Sequence, residues 1–350
     1  MSKNSKPSSS SKTTAPQANN GSGSILSIPL IRIFILVPIL SLLWTPKSPA
    51  RPFALLRPTS THATPKLINP RILLVTAHPD DEIVFAPTVL ALLSAGADRK
   101  VKTPAGGGTS GSSYDGVEEA EFWSVCLSTG DYVDDGGEVT VREKRGEERK
   151  REWVRSWEVL GLKEERRWIL DVPPLRDNIS ADWDAKEVAN QVEPFILKHS
   201  INTILTFDHS GVTHHPNHRS LPRGIEHMLT SPSPTLATYL SKSGAIAPRL
   251  FMLKTVPWYH GTLDPVVAHL SHGARTLLRL VCSQSPSQNS MGPAQVTTDI
   301  PNTIFISDIK RYIRGWRALL QHKTQMSPRM IALAAVEKYV WVNEWAESVL

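Results

Sequence analysis

The chain has 350 residues, a formal net charge of +6, 40% hydrophobic residues and two cysteines, Cys126 and Cys282. A chain this long buries a core without disulfide staples, and two cysteines suit buried thiols in a reducing compartment. The basic balance, with a pI near 9.3, favours an anionic partner such as a phospholipid surface or nucleic acid, without choosing between them. No zinc-finger spacing or RNA-binding signature is present, which argues against nucleic acid.

Residues 1–24 are Ser, Lys, Thr, Asn and Gly with little apolar content and are expected to be disordered. Residues 25–44 form the most apolar stretch. Twenty helical residues reach roughly 30 Å, the thickness of a hydrocarbon core. Arg32 interrupts it off-centre, where snorkelling is open to it, and Trp44 suits the interface. The long polar leader and the length of the run favour a retained single-pass anchor over a cleaved signal peptide. A slight excess of Lys and Arg on the far side, Lys47, Arg51 and Arg57, points the C-terminal bulk to the cytosol. Residues 45–66, with repeated Pro, Thr and Ser, read as a linker, and 67–350 as the folded domain.

Arg71–Thr76 is an apolar run that predicts a buried parallel strand, and it leads into Ala77-His78-Pro79-Asp80-Asp81-Glu82. A helix is expected over Ile83–Gly96, with Gly96 as its stop. Residues 98–118 read as a flexible insertion, Phe122–Ser128 as a second strand, and 132–145 as a second insertion. Trp153, Trp157 and Leu160 recur at helical spacing, so Arg142–Trp168 is expected to be an amphipathic helix. Trp168–Asp171 reads as a third strand, and Asp171 and Asp177 beyond it are weak candidates for binding sugar hydroxyls. A crossover helix over Trp183–His199 leads to a strand at Asn202–Phe207. That strand ends in a second polar cluster, Asp208-His209-Ser-Gly-Val-Thr-His214-His215-Pro216-Asn217-His218. Pro216 suits the first position of a helix. Residues 230–248 read as loop, Arg249–Val256 as a strand, and 304–320 as a strand and a helix.

Two strand ends, each followed by a His-bearing turn, can meet above one sheet, where open α/β folds place their chemistry. His78, Asp81 and His218 then make a His-Asp-His site with an open position for water, the pattern of a catalytic zinc. Iron, cobalt or nickel also suit such donors.

Ala-His-Pro-Asp-Asp-Glu after a strand, followed by Thr-Phe-Asp-x-x-Gly-Val-x-x-His-x-Asn-His, resembles the LmbE/PIG-L family of zinc-dependent de-N-acetylases over residues 68–350. The likeness is strongest to the eukaryotic branch that acts in glycosylphosphatidylinositol (GPI) anchor synthesis. It implies a Rossmann-like, mostly parallel sheet flanked by helices. It implies Asp80 as the proton-transferring carboxylate and His215 as the group that steadies the oxyanion. His214 stands where the family commonly has glycine, four residues before His218, and is a second candidate for that role. Gly146-Glu147-Glu148-Arg149-Lys150-Arg151-Glu152 resembles a family motif whose arginine is associated with sugar binding, here Arg149. Asp208 is expected to orient an imidazole and Asn217 to fix a neighbouring side chain. His322-Lys-Thr-Gln325 resembles a late family segment and is read as structural.

The activity implied is hydrolysis of the N-acetyl group of N-acetylglucosaminyl-phosphatidylinositol at the cytosolic face of the endoplasmic reticulum membrane. The alternatives are a de-N-acetylase of soluble GlcNAc conjugates or chito-oligosaccharides, and an inactive membrane-bound relative.

Overall fold

A computed structural model describes residues 53, 55–57, 66–100, 120–132, 139–242, 245–256, 303–328 and 337–349. The tail and the proposed membrane segment, residues 101–118 of the first insertion, 133–138 of the second and Cys282 lie outside them. Among the described residues no helix is long and apolar enough to cross a membrane.

A small hairpin, β1 (Leu55–Arg57) and β2 (Lys66–Ile68), precedes β3 (Arg71–Thr76). One turn of helix, α1 (Asp81–Val84), then α2 (Ala86–Lys100), leads to β4 (Glu121–Cys126). The long α3 (Val139–Leu160) leads to β5 (Arg167–Ile169). From there α4 (Ala185–His199) crosses to β6 (Thr203–Phe207), which is followed by the turn α5 (Gly211–His214) and by α6 (Pro216–Thr230). The rest is α7 (Pro234–Ser241), β7 (Arg249–Leu253), β8 (Thr303–Ile306), α8 (Ile309–Leu319), α9 (Lys338–Trp341) and β9 (Val342–Glu347).

Seven strands form one sheet in the order β5-β4-β3-β6-β7-β9-β8. The first five are parallel; β9 is antiparallel to both β7 and β8. The chain moves from β3 outward to β4 and β5, then returns to the other side of β3 as β6. Right-handed crossovers in opposite directions put α2 and α4 on opposite faces. The reversal falls between β3 and β6, paired through Leu73–Ile204 and Leu74–Leu205. The carboxyl ends of these two strands therefore open a crevice, where such sheets bind ligands. The β6 residues are all buried, as are all but the first of β3 and of β4, which is why the sequence shows unbroken apolar runs there.

Several boundaries differ from those expected. Gly96 does not stop α2, which runs on to Lys100; a single glycine costs a helix only about 1 kcal/mol. The long charged helix starts at Val139 and ends at Leu160, because Gly161 turns with φ 88°. Within the stretch read as loop, Ser233 caps α7 through the Leu236 amide, with Pro234 at the first position. Within the stretch read as linker, Phe53 is fully buried. Its ring packs on Phe251 (5.1 Å) and Phe305 (5.6 Å).

Helices α4 and α6 pack closely at Gly224, where a Cβ would stand 2.4 Å from the Val188 Cβ and 3.1 Å from the Ala185 carbonyl oxygen. Gly224→Ala is therefore expected to destabilise the fold by about 1–3 kcal/mol, the usual cost of overpacking. A chemical-denaturation midpoint unchanged from the parent would contradict that packing.

Candidate metal centre and its pocket

The first turn is built by Asp81. Its Oδ2 accepts the amides of Ala77 (2.9 Å) and His78 (2.8 Å), which folds the residues after β3 back over the strand end. That closure drives Asp80 into the left-handed region, at φ 105°. The strain is held by Glu82, whose Oε2 accepts the Asp80 amide at 3.1 Å. Glu82 is itself fully buried. Its Oε1 accepts from Ser156 Oγ (2.5 Å) and faces His322 Nε2 (2.6 Å). His322 is thus structural, but what it supports is the active turn.

The second turn is built by Asp208. Its Oδ1 accepts the amides of Ser210 (3.0 Å) and Gly211 (2.9 Å) and the Thr255 hydroxyl (2.6 Å), and its Oδ2 accepts the Thr255 amide (2.7 Å). Asp208 therefore shapes the loop instead of orienting an imidazole. Gly211 needs its φ of 68°: a Cβ there would meet His218 Cβ at 2.9 Å. Val212 and His214 also take positive φ, 59° and 62°. Left-handed backbone at 214 explains why glycine fits that position. His214 and His218 are not neighbours on one helix, because His215 is extended between α5 and α6. His214 lines the pocket, exposed.

These turns bring His78, Asp81 and His218 together. His78 Nδ1 stands 3.2 Å from His218 Nε2, and His218 Nε2 stands 3.1 Å from Asp81 Oδ1. His78 Nδ1 is 4.0 Å from Asp81 Oδ2. The outer hydrogen bonds fix which atoms face inward. His218 Nδ1 donates to the Gly211 carbonyl (3.0 Å), leaving Nε2 with a lone pair. His78 Nε2 donates toward Asp177 Oδ1 (3.1 Å) and the Asn217 amide oxygen (3.0 Å), leaving Nδ1 with a lone pair. The Asn217 oxygen is turned toward His78 because its nitrogen then donates to the Asn178 and Ala181 carbonyls. Three potential donor atoms converge, a cluster that could hold a cation at its centre. Two ligands bound to one ion at tetrahedral angles stand about 3.3 Å apart, so the observed separations fit.

His215 is close enough to join: one nitrogen of each of His78, His215 and His218 lies within 4.8 Å of the others. Its Nδ1, however, accepts the Asn217 amide (3.3 Å) as the cap of α6. In the neutral ring this puts the proton on Nε2, which suits a donor better than a ligand.

Charge in the site is unevenly held. Burial would raise the Asp81 carboxyl, but His218 and His78 outweigh it and hold it below the usual carboxylate range. Burial likewise opposes the charge on His218, and Asp81 outweighs it, so this imidazole is raised above its ordinary value. His215 is lowered to about 4 by burial and by the other two imidazoles, and is neutral at physiological pH. Asp80 is raised to about 6, chiefly by burial, which Arg149 offsets and Asp81 reinforces. Its side chain keeps 36% of its surface open to the pocket, so solvent moderates that rise.

Arg149 is engaged by the protein. It donates to the carbonyls of Gly130 (2.6 Å) and Pro79 (3.0 Å) and to Gln325 Oε1 (3.0 Å). Its guanidinium lies 3.8 Å from both Asp80 Oδ1 and Asp177 Oδ2. It holds the Asp80 turn and leaves its buried Nε unpaired. Asp171 is exposed.

Asp177 is more than a weak sugar contact. It is buried against His78 Nε2, and its carboxyl is held low: burial would raise it, but the His78 hydrogen bond and charge, with Arg149 and His215, outweigh burial. Carboxylates in this position fix the tautomer of a metal-binding imidazole. Asp177→Asn is expected to weaken metal binding about 10- to 100-fold. Competition against a fluorescent chelator measures this, and an affinity equal to the parent's would remove Asp177 from the centre.

The centre sits in a cavity of about 1060 Å³. The polar end carries the groups above. Ile83, Val84, Val256, Leu319, Met326 and Val340 give the remainder an apolar wall.

Fold and site together define an α/β protein with a candidate metal centre at His78, Asp81 and His218 beside the Asp80 carboxylate, the equipment of a metal-assisted hydrolase. The sequence profile of the PIG-L family, described as GlcNAc-PI de-N-acetylase, matches residues 108–229. A relative in Arthroderma benhamiae, N-acetylglucosaminyl-phosphatidylinositol de-N-acetylase, is 29% identical over 309 residues, covering 80% of this chain and 88% of its own. The protein of the same name in Bos taurus is 29% identical over 156 residues, 44% of this chain and 49% of its own. Among solved structures, N,N'-diacetylchitobiose deacetylase from Pyrococcus horikoshii is 14% identical with a TM-score of 0.46, covering 91% of this chain and 92% of its own.

Proposed function

We propose that the protein hydrolyses the N-acetyl group of N-acetylglucosaminyl-phosphatidylinositol, giving glucosaminyl-phosphatidylinositol and acetate. The observation that carries this reading is the set of lone pairs on His78 Nδ1, His218 Nε2 and Asp81 converging beside Asp80, in a chain whose relatives bear that activity in their names. Zinc, or another divalent transition metal, held by these three residues would activate water and polarise the amide carbonyl. Asp80 takes the proton from the attacking water and returns it to the nitrogen of the breaking C–N bond, so the products are an amine and acetate. His215 donates from Nε2 to the oxyanion, its tautomer set by its capping bond. Asp177 and Asn217 keep the His78 ring in place.

The lipid substrate and the apolar residues 25–44 support a single-pass anchor in the endoplasmic reticulum membrane, with the catalytic domain facing the cytosol. Acetate release is to be measured from the glycolipid, free GlcNAc and chitobiose in parallel, using full-length protein. Release from the glycolipid in clear preference is expected; release from the soluble sugars alone would overturn the substrate assignment.

A further inference from the structure

A second cavity, about 670 Å³ and open to solvent, lies between α3 and α8, apart from the metal centre. It is lined by four cations: Arg155 from α3, and Lys310, Arg314 and Arg317 from α8. Among the described residues none of the four has a carboxylate within 4.0 Å. Glu158 also lines the groove, but its carboxylate is turned to Arg167, at 3.4 Å. The Arg314 Nε donates to the Val159 carbonyl (2.6 Å), which holds its guanidinium across the gap between the helices. Like charges gathered without counter-charges repel one another, so the arrangement favours an external anion.

The cations are not alone on that face. Lys310, Arg314 and Arg317 follow helical spacing, and the stripe beside them is aliphatic. Ile309 is 37% exposed, Ile313 52% and Leu320 46%. Ile313 lines the groove itself. The opposite side of α8, Gly315, Ala318 and Leu319, is buried, and Leu319 reaches the catalytic cavity. A helix with an anchored inner side and an outer side of isoleucine among cations has the make-up of an interfacial helix. Aliphatic side chains enter the headgroup boundary while Lys and Arg stems snorkel to the phosphates. A single-stranded nucleic acid would call for exposed aromatic rings to stack bases, and the α8 aromatic Tyr312 serves the fold: it stacks on Trp341 at 3.7 Å.

We propose that the outer face of α8, with Arg155 of α3, docks on an anionic phospholipid surface. The docking is a property of the folded domain, additional to any anchor supplied by residues 25–44 and independent of the reaction assigned to the metal centre. Because α8 also walls the catalytic cavity through Leu319, docking on this face brings that wall close to the lipid surface.

The test uses the full chain with Ile313→Cys carrying an environment-sensitive fluorophore, in a Cys282→Ser background; Cys126 is buried. The protein is reconstituted into vesicles of phosphatidylcholine alone, or of phosphatidylcholine with phosphatidylserine. A blue shift and reduced acrylamide quenching are expected in the anionic vesicles only. Lys310→Glu with Arg317→Glu is expected to lower the labelled fraction in contact with lipid about tenfold or more, each cation contributing a factor of about five. Among the described residues neither side chain has a carboxylate partner, so the fold is retained, and Arg155→Glu on the neighbouring helix serves as the second variant. Equal emission in both vesicles, or a shift that survives these charge reversals, would overturn the proposal. A shift produced by an RNA oligonucleotide without vesicles, and not by anionic lipid, would reassign the face and overturn it too. The readout is contact with lipid, so its outcome is distinct from that of the acetate assay.

Discussion

Asp80→Ala is expected to lower acetate release by at least about 100-fold, within the range of about 10²–10⁴ that a positioned proton-transfer group contributes. It is expected to leave bound metal at the level of the parent. The structure gives the reason for both. The Asp80 carboxylate lies outside the donor cluster and faces the cavity, 3.8 Å from Arg149. The turn is held by other groups, through the Asp81 carboxylate and the Glu82 bond to the Asp80 amide, and alanine keeps that amide. Alanine tolerates the φ of 105° less well than aspartate. Asp80→Asn, which keeps the shape, is therefore the companion variant. Metal content by atomic spectroscopy and acetate release from the same preparation decide the matter. Loss of metal in the asparagine variant would make Asp80 a ligand.

His218→Ala is expected to lose metal and activity together. Its Nε2 is the shared vertex of the donor cluster, 3.2 Å from His78 and 3.1 Å from Asp81. Removing it leaves two donors 4.0 Å apart. The drop in metal affinity should exceed the roughly 100-fold that changes to supporting residues reach. The ring also stacks on Phe207, with centroids 4.2 Å apart and planes at 2°. Phe207→Leu separates the two effects, since it removes the stacking and keeps the ligand. Retained metal in Phe207→Leu with loss in His218→Ala is the expected pattern. Metal at the parent's affinity in His218→Ala would instead favour the set His78, Asp81 and His215.

The parts of this site that could be read from sequence are those carried on strand ends. Arg71–Thr76 and Thr203–Phe207 are unbroken apolar runs because both faces of β3 and β6 are covered, and the polar cluster after each marks where the chain leaves the sheet. Asp177 carried no such mark. It sits in a segment without periodicity and meets His78 only because β5 and α4 return the chain beside β3. Glu82 and His322 are 240 residues apart in the chain and meet only after α8 has packed. Arg149 shows the opposite difficulty. Its motif suggested substrate binding; the structure places it on the cavity wall, with donors given to Gly130, Pro79 and Gln325 and its Nε unpaired among the described residues. Ser233-Pro234 was a legible helix start, obscured by the Ser and Pro around it.

The most direct measurement of the central claim is metal content and acetate release followed together. The full-length protein is stripped with a chelator and titrated with zinc, with the glycolipid as substrate. The account predicts that release is lost on stripping and returns in proportion to zinc, saturating at one ion per chain. Full release from the stripped protein, with no metal detected, would contradict it.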